Sequence, residues 1–210
     1  MHSSVITWGR SCLAFIGPVR SALEIGAHDV NGSLRPFVDA ALYLGIDAVD
    51  GPGVDKVMDG LDAPTLGVFD LVIMTEVLEH AEHWAALLLA AQACVAPGGW
   101  LLISTRSPGY PWHGTMYRDT YGLDGRRYTW DIGDHWRFTV AGLAATFDLR
   151  WKVNAREDPD PDRPGVLICA QRSRWTALPF VAIPMEQPHQ NPFLRTDVVV
   201  NDEDDWVTDP

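Results

Sequence analysis

The segment that most constrains this chain is Phe69–Thr75, read FDLVIMT, where Leu71, Val72, Ile73 and Met74 follow one another without a polar break. A strand with one wet face alternates apolar and polar side chains. A strand that is apolar at nearly every position has to be covered on both faces, as parallel strands flanked by helices are. A second apolar run, residues 100–105, follows the Ala- and Leu-rich stretch 82–95, which has the composition of a helix. Strand, helix, strand in this order is a right-handed crossover in a parallel sheet.

The flanking chain extends that reading. Residues 4–15 carry Val5, Ile6, Trp8, Leu13 and Phe15 and predict a short helix over the domain, broken by Gly17-Pro18. A first strand is expected over 21–26, with an acid, Glu24, inside it and Gly26 at its end. Leu34, Phe37, Val38, Ala41 and Leu42 recur at helical spacing, so 33–42 reads as a helix with Pro36 in its first turn, where a missing N–H costs little. Strands over 43–49 and 54–58 flank the turn Gly51-Pro52-Gly53, and Pro97-Gly98-Gly99 is expected to stop the 82–95 helix. From 106 to 134 the periodicity fails, and Tyr110, Trp112, His113, Tyr117, Tyr121, Tyr128 and Trp130 crowd among glycines and charges. A loop of that length inside a compact domain is usually functional or mobile. A helix over 138–146 and an edge hairpin of strands 149–155 and 165–171 complete the pattern. Beyond Arg174 the chain turns Pro-rich and then acidic, which divides it into a domain of residues 1–174 and an extension, 175–210.

Charge narrows the partners. The net charge is −12, and Asp197, Asp202, Glu203, Asp204, Asp205 and Asp209 supply half of it; the rest still carries −6. An acidic body weighs against tight non-specific binding to nucleic acid. Cys12, Cys94 and Cys169 are far apart and odd in number, which fits reduced thiols in a cytoplasm. No apolar run approaches the roughly 20 residues of a membrane span. Arg10 interrupts the nearest candidate for a signal peptide, and cytoplasmic localisation is expected.

Order and spacing together carry the functional reading: Glu24 and Gly26 on the first strand, Asp47 at the end of the second, Asp59 after the third, FDLVIMTEVLEH on the fourth, then APGGWLLIST and an antiparallel pair. This layout resembles the class I S-adenosylmethionine-dependent methyltransferases over about residues 19–172. The segment from SPGYPWHG to GDHWRFT also resembles a subgroup in which a tyrosine- and histidine-bearing loop precedes a Trp-Arg-Phe run. The resemblance implies an α/β fold, a Rossmann-like three-layer sandwich with a mostly parallel seven-stranded sheet and an antiparallel edge hairpin. It implies S-adenosylmethionine as cofactor. Glu24, Gly26 and Ala27 match the first motif, which lies against the amino-acid part of the cofactor. Asp47 matches the acid that accepts both ribose hydroxyls, Asp59 the acid that meets the adenine amino group, and Asp70 to Glu76, with Thr75 and Glu76 at its end, the segment lining the methionine end. One departure stands out: His28 and Val30 occupy positions where the family commonly has further glycines, and Gly32 comes later.

On the substrate side, His80 and His113 are candidate general bases for a hydroxyl acceptor, because an unperturbed imidazole titrates near neutrality. His135 competes for that role, and each histidine has the alternative of anchoring a loop. Arg106 and Arg137 are candidate clamps for an anionic substrate or partners of nearby acids, and Tyr110 opens the aromatic stretch to Trp130, which reads as a lid over the substrate or as a surface insertion packed on the sheet edge. Glu79, His80 and His83 show no further ligand set, so no metal is expected. The reading is a methyltransferase acting on an oxygen or nitrogen of a small-molecule acceptor. The alternatives are a nucleic-acid- or protein-directed methyltransferase, which needs a basic groove built from Arg106, Arg118, Arg126, Arg127, Arg172 and Arg174, and a non-catalytic scaffold keeping the fold.

Overall fold

A computed structural model describes residues 2–112, 117–121, 127–131 and 133–174. Helix α1 (Ser3–Ile16) leads into strand β1 (Val19–Ile25), and β2 (Ala40–Asp47) and the short β3 (Lys56–Val57) follow. Then come β4 (Phe69–Thr75), α2 (Trp84–Ala93) and β5 (Val95–Arg106). Strands β6 (Tyr117–Tyr121) and β7 (Arg127–Asp131) pair as a separate antiparallel ribbon. Helix α3 (Val140–Ala144) and strands β8 (Trp151–Glu157) and β9 (Gly165–Arg172) close the described chain. The main sheet has seven strands in the order β3-β2-β1-β4-β5-β9-β8. β9 is antiparallel to both its neighbours, and the other six strands share one direction.

The central strands are buried on both faces, as their sequence requires. Leu71 and Ile73 of β4 point to one layer, where Val5, Trp8 and Leu13 of α1 cover them together with Ala22 and Leu102. Val72 and Met74 point to the other, against Leu87, Leu88 and Ala91 of α2, Phe138 and Leu143. The alternation of period two in each strand thus loads two cores at once. Asp59 caps the 3₁₀ segment Gly60–Leu66 by accepting from the Leu61 N–H at 2.9 Å, and this segment packs beside α2 in the second layer.

Three expectations need correction. Residues 33–42 do not form a helix: a single 3₁₀ turn, Arg35–Phe37, is followed directly by β2 from Ala40. Helical spacing yields here to pairing, because β2 must run back along all of β1, with register from Val19↔Ala40 to Ile25↔Ile46. A helix to Leu42 would remove two of the six pairs of that ladder. Pro97-Gly98-Gly99 does not separate α2 from its strand; β5 starts at Val95 and the triplet lies within it as a bulge. The register steps from Phe69↔Val95 to Leu71↔Trp100, and Gly98 takes the positive φ of 84° that the bend requires. The stretch 106–134 is not wholly irregular, since β6 and β7 pair from Tyr117↔Asp131 to Tyr121↔Arg127. His113 and the 175–210 extension lie outside the described residues. Cys12, Cys94 and Cys169 are free thiols. Among the described residues no helix is long and apolar enough to cross a membrane.

Candidate active site

A cavity of about 710 Å³ opens at the carboxyl ends of β1, β2 and β4. That is where an open α/β sheet leaves space between diverging connections. Glu24, Gly26, Ala27, Asp47, Asp59, Thr75, Glu76, His80, Arg106 and Tyr110 all line it. The structure brings these together but leaves out Arg137, which sits behind Tyr110, His135, which does not line the cavity, and Asp70, which pairs with Arg20 at the start of β4.

The turn after β1 forms the floor. Gly26 has φ of 80°, and the Gly26 and Ala27 N–H groups both donate to the Ile46 carbonyl, at 2.9 and 3.0 Å. A Cβ at Gly26 would stand 2.2 Å from Val77 Cγ2. Where further glycines are common in the resembling family, Asp29 closes the turn instead: its Oδ1 accepts from the Gly32 N–H at 2.6 Å. The His28 ring packs on Gly51 and lines the cavity. Gly26→Ala is expected to push Val77 and the adjacent Glu76 aside and to cost about 1–3 kcal/mol. The melting point of the ligand-free variant measures that cost.

Asp47 ends β2 with Oδ2 accepting the His28 N–H at 3.1 Å and Oδ1 the Val49 N–H at 2.9 Å. A carboxylate offers about four lone-pair positions, so two remain for vicinal hydroxyls. Glu24 is 2% exposed, and Tyr43 donates its phenol to Oε2 at 2.6 Å. Burial pushes the Glu24 carboxyl up to about 7, against the opposing pull of the Tyr43 hydrogen bond and the Arg35 charge.

At the other end Glu76 is, among the described residues, the one non-glycine with positive φ, 59°. Its N–H donates to the Ser104 carbonyl at 2.8 Å, Ser104 Oγ donates to its Oε1 at 2.7 Å, and Arg106 pairs with its Oε2. Backbone strain of this kind persists where its surroundings over-determine it. Arg106 is itself 2% exposed, and its guanidinium lies 4.4 Å from the centre of the Tyr110 ring. His80 Nδ1 lies 3.0 Å from the Gly133 carbonyl, which makes Nδ1 the donor.

Arg137 does not reach the cavity. It chelates Asp134 through Nη1 and Nη2 at 2.5 Å, and donates to the carbonyls of Tyr110, Pro111 and Trp136 at 3.1, 3.1 and 2.8 Å. It also stacks 4.0 Å from the centre of the Trp112 ring. It ties the chain after β5 to the segment before α3.

Several cavity residues were not proposed as site residues from the sequence, His2 and Glu79 among them. His2, at the start of α1, lies with its ring 6.4 Å from Tyr110 and reaches the far rim; nothing in the sequence marks it. Glu79 enters the sequence reading solely beside His80 and His83. It is fully buried, with Oε2 accepting from Thr105 Oγ1 at 2.8 Å and Oε1 without a hydrogen-bond partner. Its position three residues after Glu76, just past a strand end, is the signal that pointed to it. Among the described residues no group of three or more His, Cys, Asp or Glu is placed to hold a metal ion.

The sequence profile of the methyltransferase domain family matches residues 22–141. Among solved structures, the 1,6-didemethyltoxoflavin-N1-methyltransferase of Burkholderia thailandensis, with bound 1,6-didemethyltoxoflavin and S-adenosylhomocysteine, is 17% identical. It aligns over 80% of this chain and 78% of its own with a TM-score of 0.55. The N-methyltransferase NodS of Bradyrhizobium japonicum, in complex with S-adenosylhomocysteine, is 16% identical over 80% of this chain and 85% of its own, with a TM-score of 0.53. The sugar N-methyltransferase KedS8 of Streptoalloteichus is 17% identical over 81% and 87%, also at 0.53. No curated protein sequence matches. The profile spans more than half of the chain, and strand order and direction agree with it: this protein belongs to the methyltransferase domain family and has the Rossmann-like fold of the class I S-adenosylmethionine-dependent methyltransferases.

Proposed function

We propose that the protein is an S-adenosylmethionine-dependent methyltransferase that moves the methyl group to an oxygen or nitrogen of a small-molecule acceptor. The observation that carries this reading is the gathering of Gly26, Asp47, Asp59 and Glu76 around one cavity at the carboxyl edge of the sheet. The donor set fits the cofactor. Asp47 has acceptor positions left for two ribose hydroxyls, Asp59 on the same cavity wall is the acceptor assigned to the adenine amino group, and the floor turn brings backbone close without a Cβ. The bound cofactor supplies a methyl group activated on a sulfonium cation. The chain holds it, aligns the acceptor and excludes water, which is most of what a displacement needs. His80, Arg106 and Tyr110 line the acceptor end; Arg137 supports that end from behind. The domain is residues 1–174, with 175–210 appended to it.

The nucleic-acid reading loses support from the placement of the arginines. Arg106 is committed to Glu76 at the end of β5. Arg172 and Arg174 lie at its opposite end, beside Val95 and Gly98. Arg126 and the side chains of Arg118 and Arg127 lie outside the described residues; among the described arginine side chains, Arg106 alone lines the cavity.

The test is a thermal melt with S-adenosylhomocysteine. At about 100 times its dissociation constant a ligand stabilises the folded state by ~2.7 kcal/mol, about 5–10 °C for a domain of this size. Asp47→Ala is expected to keep the fold and lose the shift. A wild-type protein whose melting point ignores the ligand would sink the enzyme reading and favour a scaffold.

A further inference from the structure

The cavity is lined, among the described residues, by seven carboxylates and one guanidinium. The guanidinium, Arg106, gives Nη2 to Glu76 while its Nη1 is buried without a hydrogen-bond partner, and the nearby Arg137 is chelated by Asp134. Charge of one sign in a cleft with low-dielectric walls concentrates ions of the other sign. Such a lining attracts cations and repels carboxylate- or phosphate-bearing acceptors. A second feature is independent of this charge count. Glu79 is fully buried on the cavity wall, one carboxylate oxygen is held by Thr105, and the other has no hydrogen-bond partner. A buried polar atom without a partner costs about 1–3 kcal/mol, a cost that a donor arriving with the ligand removes.

We propose, resting on the methyltransferase reading above, that the acceptor is an amine, bound as its ammonium ion, and that Glu79 takes the proton that frees its lone pair. The ammonium nitrogen gives one proton to Glu79 Oε1, leaving a neutral amine and a neutral carboxylic acid. The amine nitrogen then forms a bond to the methyl carbon as the carbon–sulfur bond breaks, its electron pair going to sulfur. The positive charge passes from sulfur to nitrogen, and the proton leaves Glu79 after the methylated ammonium product departs. No metal or redox partner is needed.

The surroundings of Glu79 suit this task. Burial and, to a smaller degree, the Asp134 carboxylate push its carboxyl up to about 7, while its own backbone N–H, the Thr105 hydroxyl and the Arg137 charge hold it back. His80 is its chain neighbour, and Glu76 and Arg106 line the same cavity. A base that titrates near the working pH is both ionised enough to accept a proton and basic enough to hold it. An alcohol acceptor would need a stronger base than a carboxylate of this kind.

The test uses the full chain and three scaffolds, benzyl, cyclohexyl and hexosyl, each offered as amine, alcohol and carboxylic acid. Turnover is followed with methyl-labelled cofactor, and binding by calorimetry on the S-adenosylhomocysteine complex. The expected result is binding and methylation of amines and neither for the matched acids. Glu79→Gln should weaken amine binding and lower kcat about 100-fold or more, while keeping the melting shift given by S-adenosylhomocysteine. In the wild type, kcat should rise with pH through about 7, with a limb that stays in place as the amine's own pKa is varied; this readout needs no variant to fold. Methylation of alcohols or acids in preference to amines, a Glu79→Gln enzyme with unchanged amine binding and kcat, or no amine bound by a protein that binds S-adenosylhomocysteine, would each overturn the amine assignment and leave the methyltransferase reading standing. A wild type that does not respond to S-adenosylhomocysteine would overturn both.

Discussion

Arg137→Ala lowers the unfolding free energy by about 3–5 kcal/mol, because it leaves the 3%-exposed Asp134 carboxylate buried and uncompensated. The carbonyls of Tyr110, Pro111 and Trp136 lose their donor in the same step. At ~2–4 °C per kcal/mol for a domain of this size, the melting point falls by roughly 6–20 °C. Arg137→Lys does not restore it, since an ammonium cannot supply the planar fork that grips Asp134 with two nitrogens. Removing both partners, as Asp134→Leu with Arg137→Met, recovers much of the loss, because the penalty comes from the stranded charge more than from the missing attraction. Denaturant titrations of the wild type, Asp134→Leu, Arg137→Met and the double variant close the cycle. A single variant within 1 kcal/mol of wild type would show that this pair holds nothing together.

The second large effect is a loss of stability with rising pH. Glu24 has a folded-state pKa of about 7 against 4.5 for an ordinary glutamate. Below pH 4.5 both folded and unfolded chains hold the proton and its full stabilising contribution is present. Between 4.5 and 7 the unfolded chain releases the proton while the folded chain keeps it, so stability falls as pH rises through this window. The difference is worth on the order of 3 kcal/mol. Glu79 shifts in the same direction from burial and adds to the slope. Wild-type stability in the absence of ligand is therefore expected to drop between pH 5 and 8. Glu24→Gln, which keeps an acceptor for Tyr43, should remove about half of the drop. Unfolding free energies at pH 5, 6, 7 and 8 measure it; a flat wild-type profile would contradict the burial argument.

The parts of the fold that the sequence made legible are those whose reasons are local. Phe69–Thr75 is apolar throughout because two layers cover it, and its bounds were read to the residue. The edge hairpin, β8 with β9, announces itself by the polar turn between two strand-like runs. Helix α1 was likewise readable from its apolar stripe and Gly17. The failures share a cause. Residues 33–42 have helical spacing, yet the ladder that β1 offers outweighs it. The Pro97-Gly98-Gly99 triplet looks like a stop, yet a bulge lets β5 carry it without breaking.

The candidate site divides the same way. Gly26, Asp47, Asp59 and Glu76 follow strand ends, and a parallel sheet puts all its strand ends on one edge. Their order along the chain was therefore enough to bring them together. What only the tertiary structure decided is the state of each charged group. Arg106 and Arg137 read alike in the sequence, each as an anion clamp or a partner of nearby acids, but one faces Glu76 at the cavity and the other is chelated behind it. Glu79 reads as half of a polar pair, but folding removes its water and gives only one of its oxygens a partner. Burial, and with it the cost or the use of a charge, is set by residues from distant strands arriving at the same place. No local stretch of sequence contains that information.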